Sequence, residues 1–369
     1  MKNKKVVLGL SGGVDSTTAA LLLQEKGYEV IGLYFDAMGK GREDAGAVRA
    51  ETAAGQLGIR FLYRDVSGIF QEKVIENFCS EYACGRTPNP CIVCNPNVKF
   101  KTLLEAADEE GADWIATGHY ADTYQDPESG MWFIKRAKSE ARDQSYMLYR
   151  LGEEVVSRLI LPLNDAEDKE KVRELAREKA LKNADDKDSQ EICFIEEGDD
   201  YKAFLKRKGF DLPKGDFVDT EGNVLGEHQG ILNYTVGQRK GLGIALGRPV
   251  FVTGIDSEKN RVILGENSDL FRKEVISAGN ILLGCDFDMR RKQAEENGEA
   301  FSLGLIGFDG ESGITAKIRY AAKPAEAALK LLPDGKILTM FKEPQRAPTP
   351  GQSIVFYRDN LVLGGGFIV

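Results

Sequence analysis

One segment of the sequence has residue types and spacing suited to binding phosphate: Gly9–Ser16, which reads GLSGGVDS. Gly12 and Gly13 lack a Cβ atom and can adopt positive φ, so successive backbone N–H groups can curl around an anion. The helix predicted directly behind them adds the positive end of its dipole, and Ser11 and Ser16 add hydroxyl donors. Because both a Lys-Ser/Thr pair and the Gly-x-Gly-x-x-Gly spacing are missing, this is neither a Walker A loop nor a dinucleotide fingerprint. The other interpretation is a plain glycine-rich turn.

A second set of reactive side chains consists of cysteines. Cys91 and Cys94 have C-x-x-C spacing, which suits metal binding or redox chemistry and often lowers the pKa of a thiol. Pro88 and Pro90 precede them and predict a loop with little conformational freedom. Cys193 lies about a hundred residues further on, between apolar neighbours. A buried structural thiol is the alternative interpretation there.

The cysteine content as a whole excludes a disulfide scaffold, because six cysteines in 369 residues are too sparse. The first apolar run covers only residues 6–10, too short for the core of a signal peptide. Clustered cysteines in a chain without an export signal are candidates for catalysis or metal binding. No role is assigned to Cys79, Cys84, Cys285 or His228.

The elements that must position these residues alternate between strand and helix in the first half of the chain. We predict strands at 6–10, 30–35, 60–63 and 113–116, and helices at 15–26, 44–57, 69–84 and 99–110. This rhythm predicts an α/β fold with a doubly wound parallel sheet and helices on both faces. His119 then follows a strand at the carboxyl edge of the sheet, where ligands bind in such folds.

From about residue 208 the helical periodicity stops, and short strands separated by turn residues take over. Turns are predicted at 220–223, 256–260 and 332–335 from their Asp, Asn, Gly and Pro content. We therefore predict three domains: a catalytic domain at 1–208, a small mostly-β domain at 209–279, and a β-barrel-like domain at 280–369.

The charge of the chain is acidic, with 49 Lys and Arg against 58 Asp and Glu and a net charge of −9. This argues against a protein that binds nucleic acid over its whole surface, but it leaves room for a local basic groove. Since no stretch approaches the ~18 apolar residues of a membrane span, we predict a cytoplasmic protein without membrane association. The cationic groups available to a groove are Lys135, Arg136, Lys138 and Arg142; Lys202, Lys206, Arg207 and Lys208; Arg239 and Lys240; and Arg290, Arg291 and Lys292.

The motifs together resemble a known family. Ser11–Ser16 (SGGVDS) resembles the loop of the ATP pyrophosphatases, which split ATP between the α and β phosphates and activate a carbonyl oxygen as its adenylate. Over essentially its whole length the chain resembles the bacterial tRNA 2-thiouridylases. The motifs that carry this resemblance, in the order of the family, are SGGVDS at 11–16, GRTPNP at 85–90, TGHY at 117–120, DQSY at 143–146, KDS at 187–189 and IRY at 318–320.

The resemblance implies a role for each matching residue. Cys94 matches the catalytic nucleophile, and Cys193 matches the cysteine that carries a persulfide received from a sulfur-donor protein. Cys91 departs from the family, in which many members have Asp there, and it places three thiols around the site. The positions that match ATP contacts are Gly9, Leu10, Ser11, Gly12, Gly13, Val14, Asp15, Ser16, Phe35 and Gly118. The positions that match contacts with tRNA or the target base are Asn89, Pro90, Cys91, His119, Arg142, Asp143, Gln144, Arg319, Tyr320 and Gln352.

The activity implied by the resemblance is ATP-dependent 2-thiolation of a tRNA uridine at wobble position 34. The C2 oxygen is adenylated in the presence of ATP and Mg²⁺, and sulfur from the Cys193 persulfide then replaces it, which leaves 2-thiouridine, AMP and pyrophosphate. Either Cys94 attacks the inner sulfur and closes a Cys94–Cys193 disulfide, or the terminal sulfur attacks the base directly.

Three other functions remain open at this point. One is an amidating or ligase-type ATP pyrophosphatase, which the three cysteines disfavour. Another is an iron–sulfur protein in which Cys91, Cys94 and Cys193 ligate a cluster with one open iron. The last is a non-catalytic tRNA-binding protein, which the intact phosphate loop disfavours.

Overall fold

The computed structural model describes residues 3–166, 168–179, 181, 183–185, 192–196, 198–210, 213–282 and 313–369. The chain divides into two compact units. The first consists of Met1–Val74, Cys91–Phe194 and Asn360–Val362. The second consists of Ile75–Pro90, Ile195–Asp359 and Leu363–Val369.

The first unit is built on a parallel sheet with the strand order β3-β2-β1-β4-β7. Its central strand holds Val6, Val7 and Leu8, which are fully buried, as expected for a strand covered on both faces. A short antiparallel hairpin, β5–β6, was not predicted from the sequence. The strands of this unit are β1 (Lys5–Gly9), β2 (Glu29–Asp36), β3 (Arg60–Asp65), β4 (Trp114–Ala116), β5 (Ala121–Gln125), β6 (Trp132–Arg136) and β7 (Leu159–Ile160).

The predicted helices are present, and the one predicted at 44–57 has a capping residue at each end. Asp44 accepts a hydrogen bond from the Gly46 N–H and so starts a helix at Ala45, and Gly58 closes that helix with a φ of 63°. The segment predicted at 69–84 is helical as far as Ala83, with a π-helical stretch at Gln71–Ile75. The helices are α1 (Val14–Glu25), α2 (Ala45–Leu57), α3 (Ser67–Phe70), α4 (Glu76–Ala83), α5 (Pro90–Cys94), α6 (Phe100–Glu109), α7 (Glu153–Val156), α8 (Lys169–Glu178) and α9 (Tyr201–Arg207).

The loop predicted around the C-x-x-C pair is wrong for residues 90–94, which form α5. Pro90 is the first residue of this helix, where its fixed φ is favourable and its missing N–H costs nothing. A π-helical stretch, Asn95–Lys99, continues from α5 into α6. Both cysteines of the pair are therefore held by helical backbone rather than by a proline-stiffened loop.

The second unit contains a four-stranded sheet with the order β10-β11-β8-β9. The turn predicted at 256–260 is present, and Asn260 adopts a positive φ of 51° in it. His228, for which no role is predicted, is fully buried, and its Nδ1 accepts a hydrogen bond from the Gly230 N–H at 3.0 Å. The strands are β8 (Gly215–Val218), β9 (Val224–His228), β10 (Phe251–Asp256) and β11 (Arg261–Gly265).

The remaining strands form a closed six-stranded barrel, because β12 pairs with both β15 and β17. Its core includes the fully buried residues Ile337, Ile354 and Phe356. The first barrel strand runs through residue 279, where a domain boundary is predicted from the sequence; the three domain ranges remain predictions. Cys285, the KDS motif at 187–189 and the cationic group at 290–292 lie outside the described residues. The barrel strands are β12 (Phe271–Leu282), β13 (Ile314–Lys317), β14 (Ala325–Leu331), β15 (Ile337–Arg346), β16 (Ser353–Arg358) and β17 (Leu361–Ile368).

The predicted fold class is confirmed: a parallel sheet with helices is followed by β structure that ends in a barrel. None of the helices in the described part of the chain is long and apolar enough to cross a membrane.

Candidate active site

The first unit has a cavity of about 400 Å³ at the carboxyl ends of β1, β2 and β4. This is the edge of a parallel sheet at which ligands bind in open α/β folds. The residues that line it are Gly9, Leu10, Ser11, Asp15, Ser16, Tyr34, Phe35, Lys99, Thr117, Gly118, His119 and Gln144. Seven of the ten predicted ATP-contact residues are among them, and Gly12, Gly13 and Val14 are not.

The phosphate loop has the backbone conformation that its glycines predict. Gly12 has a φ of 76°, and a Cβ atom there would lie 2.7 Å from the backbone nitrogen of Ala50. Gly13 caps α1. The hydroxyl of Ser16 donates to the Gly13 carbonyl at 3.1 Å and accepts from the Ser11 N–H at 3.2 Å. The loop is therefore pre-formed at a helix N-terminus, the arrangement that binds phosphate.

Asp15 is the carboxylate of the loop, and two distant side chains hold it in place. It accepts hydrogen bonds from the Tyr120 hydroxyl at 2.7 Å and from the buried Lys169 ammonium at 3.0 Å. A third distant side chain, Asn183, donates to the Gly12 carbonyl and to the Thr17 hydroxyl, both at 2.7 Å. Neither Lys169 nor Asn183 was predicted as a site residue, since both lie far along the chain from the motif that they support.

Gly118 allows the end of β4 to approach the phosphate loop closely. A Cβ atom at this position would lie 2.9 Å from the backbone nitrogen of Ser16 and 3.0 Å from the carbonyl carbon of Asp15. Phe35 packs in a similar way, since a Cβ at Gly9 would lie 3.2 Å from its ring. Both predicted ATP-contact positions therefore shape the cavity through close packing.

His119 forms part of the cavity wall as a neutral ring. Burial, assisted by the positive charge of Lys99, lowers the pKa of His119 to about 3. Its Nδ1 lies 2.8 Å from the Thr117 hydroxyl, and its ring stacks on Phe100 with centroids 6.0 Å apart. At neutral pH this side chain can form a hydrogen bond to a ligand but cannot act as a cation toward RNA phosphate.

The three thiols interact electrostatically with one another. Burial raises the pKa of Cys94, while the charge of Lys99 and a hydrogen bond from the Lys99 N–H oppose this shift. Burial of the sulfur also raises the pKa of Cys193 to about 12, and the Cys94 and Cys91 sulfurs lie close enough to add to the effect. Cys193 nevertheless exposes part of its surface, as does Cys91. Both Cys94 and Cys193 are free thiols, and the raised pKa values mean that they are protonated at neutral pH.

Lys99 is a site residue that sequence analysis missed. It lies at the end of the π-helical stretch and lines the cavity. The helical pattern of the sequence around it does not indicate that it faces a cavity. Its charge acts on Cys94, Cys193 and His119.

Of the predicted tRNA-contact positions in the first unit, two brace the protein itself. The carboxylate of Asp143 is buried and accepts hydrogen bonds from the N–H groups of Ala137 and Ser145 at 3.1 and 3.2 Å. Gln144 exchanges hydrogen bonds with the backbone of Tyr120, at 2.7 and 3.0 Å. These hydrogen bonds stabilise the conformation of this segment, which also carries Arg142.

The second unit contains the other predicted tRNA positions. Thr87, at the start of the segment leading to Asn89 and Pro90, is held through both of its backbone polar groups. Its N–H donates to the Pro350 carbonyl, and its carbonyl accepts from the Gln352 side chain, both at 2.8 Å. Gln352 is thus an internal positioning residue for this segment.

Arg319 and Tyr320 follow β13 in the same unit. The Arg319 guanidinium donates to the Arg346 carbonyl at 2.9 Å, which fixes its direction. Tyr320 is exposed, and the Lys317 ammonium lies 5.7 Å from the centre of its ring. An exposed aromatic ring beside cations is a surface on which an RNA base can stack.

Three family models match the chain in succession. They are described as a tRNA methyl transferase HUP domain at residues 4–197, a tRNA methyl transferase PRC-barrel domain at 202–266, and an aminomethyltransferase beta-barrel domain at 307–368. The first of these alone covers more than half of the chain.

Curated relatives match over nearly the whole length. The tRNA-specific 2-thiouridylase MnmA 1 of Caldanaerobacter subterraneus subsp. tengcongensis is 44% identical over 99% of this chain and 98% of its own. The tRNA-specific 2-thiouridylase MnmA of Clostridium acetobutylicum is 43% identical over 99% of both chains. Among solved structures, the U34-tRNA thiolase NcsA from Methanococcus maripaludis with its [4Fe-4S] cluster is 22% identical over 49% of this chain and 58% of that one, with a TM-score of 0.33. On the family models and the two full-length relatives, the chain belongs to the family of tRNA-specific 2-thiouridylases.

Proposed function

We propose that this protein is an ATP-dependent tRNA-uridine 2-sulfurtransferase that forms 2-thiouridine at wobble position 34. The observation that carries the proposal is that one unit contains both a phosphate site and reactive sulfur. Its cavity includes a pre-formed phosphate loop, and its two protonated thiols, Cys94 and Cys193, interact with each other and with the cavity residue Lys99. An ATP-using ligase without sulfur chemistry needs no such thiols.

The first step is adenylation. The C2 oxygen of uridine attacks the α-phosphorus of ATP, a P–O bond forms, and the bond to the β-phosphate breaks to release pyrophosphate. The loop N–H groups and the α1 N-terminus stabilise the negative charge on the phosphates. Asp15 is the one carboxylate among the described lining residues and already pairs with Lys169, so we infer that Mg²⁺ enters as a complex with the nucleotide.

The second step transfers sulfur. Cys193 receives a persulfide from a donor protein, and the Cys94 sulfur attacks the inner sulfur of that persulfide while its thiol proton passes to the departing outer sulfur. A Cys94–Cys193 disulfide forms, hydrosulfide leaves, and the hydrosulfide displaces AMP from C2 to give 2-thiouridine. Direct attack by the terminal sulfur on C2 gives the same products. A reductant must return the disulfide to two thiols before the next cycle.

An iron–sulfur cluster is the alternative carrier of sulfide, since three cysteines have suitable donor chemistry. In the described ranges of the chain, no group of three His, Cys, Asp or Glu side chains is arranged to hold a metal ion. No step of the reaction is therefore assigned to a cluster. The predicted cytoplasmic location and the sulfur-donor partner stand as parts of this proposal.

The decisive experiment is mass spectrometry of nucleosides from unmodified tRNA incubated with the protein, ATP, Mg²⁺ and a persulfide donor. We expect 2-thiouridine, AMP and pyrophosphate in equal amounts. Pyrophosphate release without a thiolated nucleoside would favour a ligase-type activity, and RNA binding without pyrophosphate would favour a non-catalytic protein.

Substitutions of Cys91 test the relay directly. Under the relay two cysteines suffice, so we expect Cys91→Ala and Cys91→Asp both to retain thiolation within about tenfold, or ~1.4 kcal/mol of barrier. The measurements are the thiolation rate and the iron content of anaerobically purified protein. An alanine variant that is inactive and iron-free, beside an active iron-bound aspartate variant, would establish the cluster mechanism instead.

The contact of Gln352 with Thr87 makes a separate prediction about tRNA. We expect Gln352→Ala to raise the KM for tRNA by about three- to tenfold, because losing one hydrogen bond of ~0.5–1.5 kcal/mol frees the segment that carries Asn89. ATP affinity should stay unchanged. Gln345→Ala is the matched control, since the Gln345 side chain donates to the nearby Glu343 carbonyl. An unchanged KM in the Gln352 variant would remove this positioning role.

A further inference from the structure

Among the described residues that line the cavity of the first unit, one side chain is cationic. Lys99 is the only Lys or Arg among the described residues that line it. The other charged lining residue, Asp15, is held by Lys169, which is itself buried. Within the described ranges, no carboxylate lies within ion-pair distance of the Lys99 ammonium. A half-buried ammonium in a cavity of this kind is suited to a ligand that brings a negative charge.

The position of Lys99 also restricts which part of ATP its ammonium can contact. Its charge acts on the Cys94 and Cys193 sulfurs, and its own N–H donates to the Cys94 sulfur. Lys99 is therefore a neighbour of the groups that deliver sulfur. Of the three phosphates of ATP, only the α-phosphate becomes bonded to the base that the sulfur attacks, whereas the β and γ phosphates leave as pyrophosphate.

We propose that the Lys99 ammonium binds the α-phosphate of ATP and remains bound to it in the adenylated uridine, so that one charge serves both halves of the reaction. This inference rests on the proposed function. In the first half the ammonium neutralises charge on the phosphorus under attack. In the second half it stabilises AMP as the leaving group while the C2–O bond breaks and the C2–S bond forms.

His119 cannot replace Lys99 in this role. The two side chains line the same cavity, but burial and the Lys99 charge keep His119 neutral. Nor can Lys169, because its ammonium is committed to the Asp15 carboxylate.

The test compares Lys99→Met, Lys99→Arg and Lys101→Met by calorimetry with three ligands: ATP, AMP and adenosine. Methionine keeps the unbranched stem and removes only the charge. Lys101 is an exposed residue of α6 that does not line the cavity, which makes Lys101→Met the matched control. We expect Lys99→Met to weaken both ATP and AMP by about 10- to 100-fold, which is the range of one charge-assisted contact, with adenosine unaffected. Lys99→Arg should recover most of the affinity, and Lys101→Met should match the wild type.

Two results would overturn the proposal. Loss of ATP affinity with unchanged AMP affinity would place the ammonium at the departing phosphates. Loss of adenosine affinity as well would mean that Lys99 only maintains the shape of the cavity. Because these are binding measurements, they are independent of turnover. Wild-type protein that forms no 2-thiouridine would count against the proposed function while leaving the binding result intact.

Discussion

Replacing either Cys94 or Cys193 with serine should stop the formation of 2-thiouridine, with a loss of about 10³-fold or more in rate. A serine hydroxyl can neither carry a persulfide nor attack one, so each variant removes an obligatory reactant rather than a stabilising contact. The double variant should be no worse than the single ones, because the two thiols act in one sequence. The measurement is the single-turnover yield of 2-thiouridine with a persulfide donor.

Two controls show whether the loss of 2-thiouridine formation is due to the missing thiol itself. ATP affinity should remain at the wild-type level in both variants, because neither cysteine lines the nucleotide cavity. Cys84→Ser provides a matched substitution of another exposed free cysteine, in the second unit, and should retain full activity. Wild-type rates in the Cys94 or Cys193 variant would remove that residue from the relay.

The substitution Gly118→Ala should have the second largest effect, by weakening ATP binding about 100-fold, or ~2.7 kcal/mol. The added Cβ would lie 2.9 Å from the Ser16 nitrogen and 3.0 Å from the Asp15 carbonyl carbon, and both are backbone atoms. No flexible side chain can move away to relieve the clash, so the phosphate loop itself must shift from the end of β4. Titration calorimetry with ATP measures the effect.

Gly55→Ala is the control for this prediction. Gly55 lies within α2, and a Cβ there would have open space around it. Alanine should stabilise this helix by about 0.5–1 kcal/mol and leave ATP affinity unchanged. Should Gly118→Ala bind ATP like the wild type, close packing at this point would not set the geometry of the loop.

The phosphate loop was predictable because its signal is local: two glycines and two serines lie at the junction of a buried strand and a helix. The residues that brace it were not, since Asn183 reaches the Gly12 carbonyl across 171 positions of sequence. Lys99 was missed for a different reason. A π-helical stretch changes the direction of side chains relative to an α-helix, and no residue type within Asn95–Lys99 indicates such a stretch.

The prolines around the C-x-x-C pair show how one residue type supports opposite interpretations. Pro88 does lie in irregular backbone, as predicted, but Pro90 begins a helix. Proline is unfavourable inside a helix and favourable at its first position, so the difference depends on the conformation of the residues after it and not on the proline itself. The β structure after residue 208 and its barrel-like end were predicted as classes, whereas the particular pairing of β12 with β17 that closes the barrel is encoded by no local pattern.

The protonated resting state of Cys94 and Cys193 affects how readily the enzyme is inactivated by oxidants. Peroxides attack thiolates far faster than thiols, so sulfenic acid forms mainly on cysteines with a low pKa and good access to solvent. Here burial raises both pKa values. The idle enzyme should therefore resist inactivation by hydrogen peroxide, and its sensitivity should increase once sulfur is loaded, because a persulfide ionises more readily than a thiol.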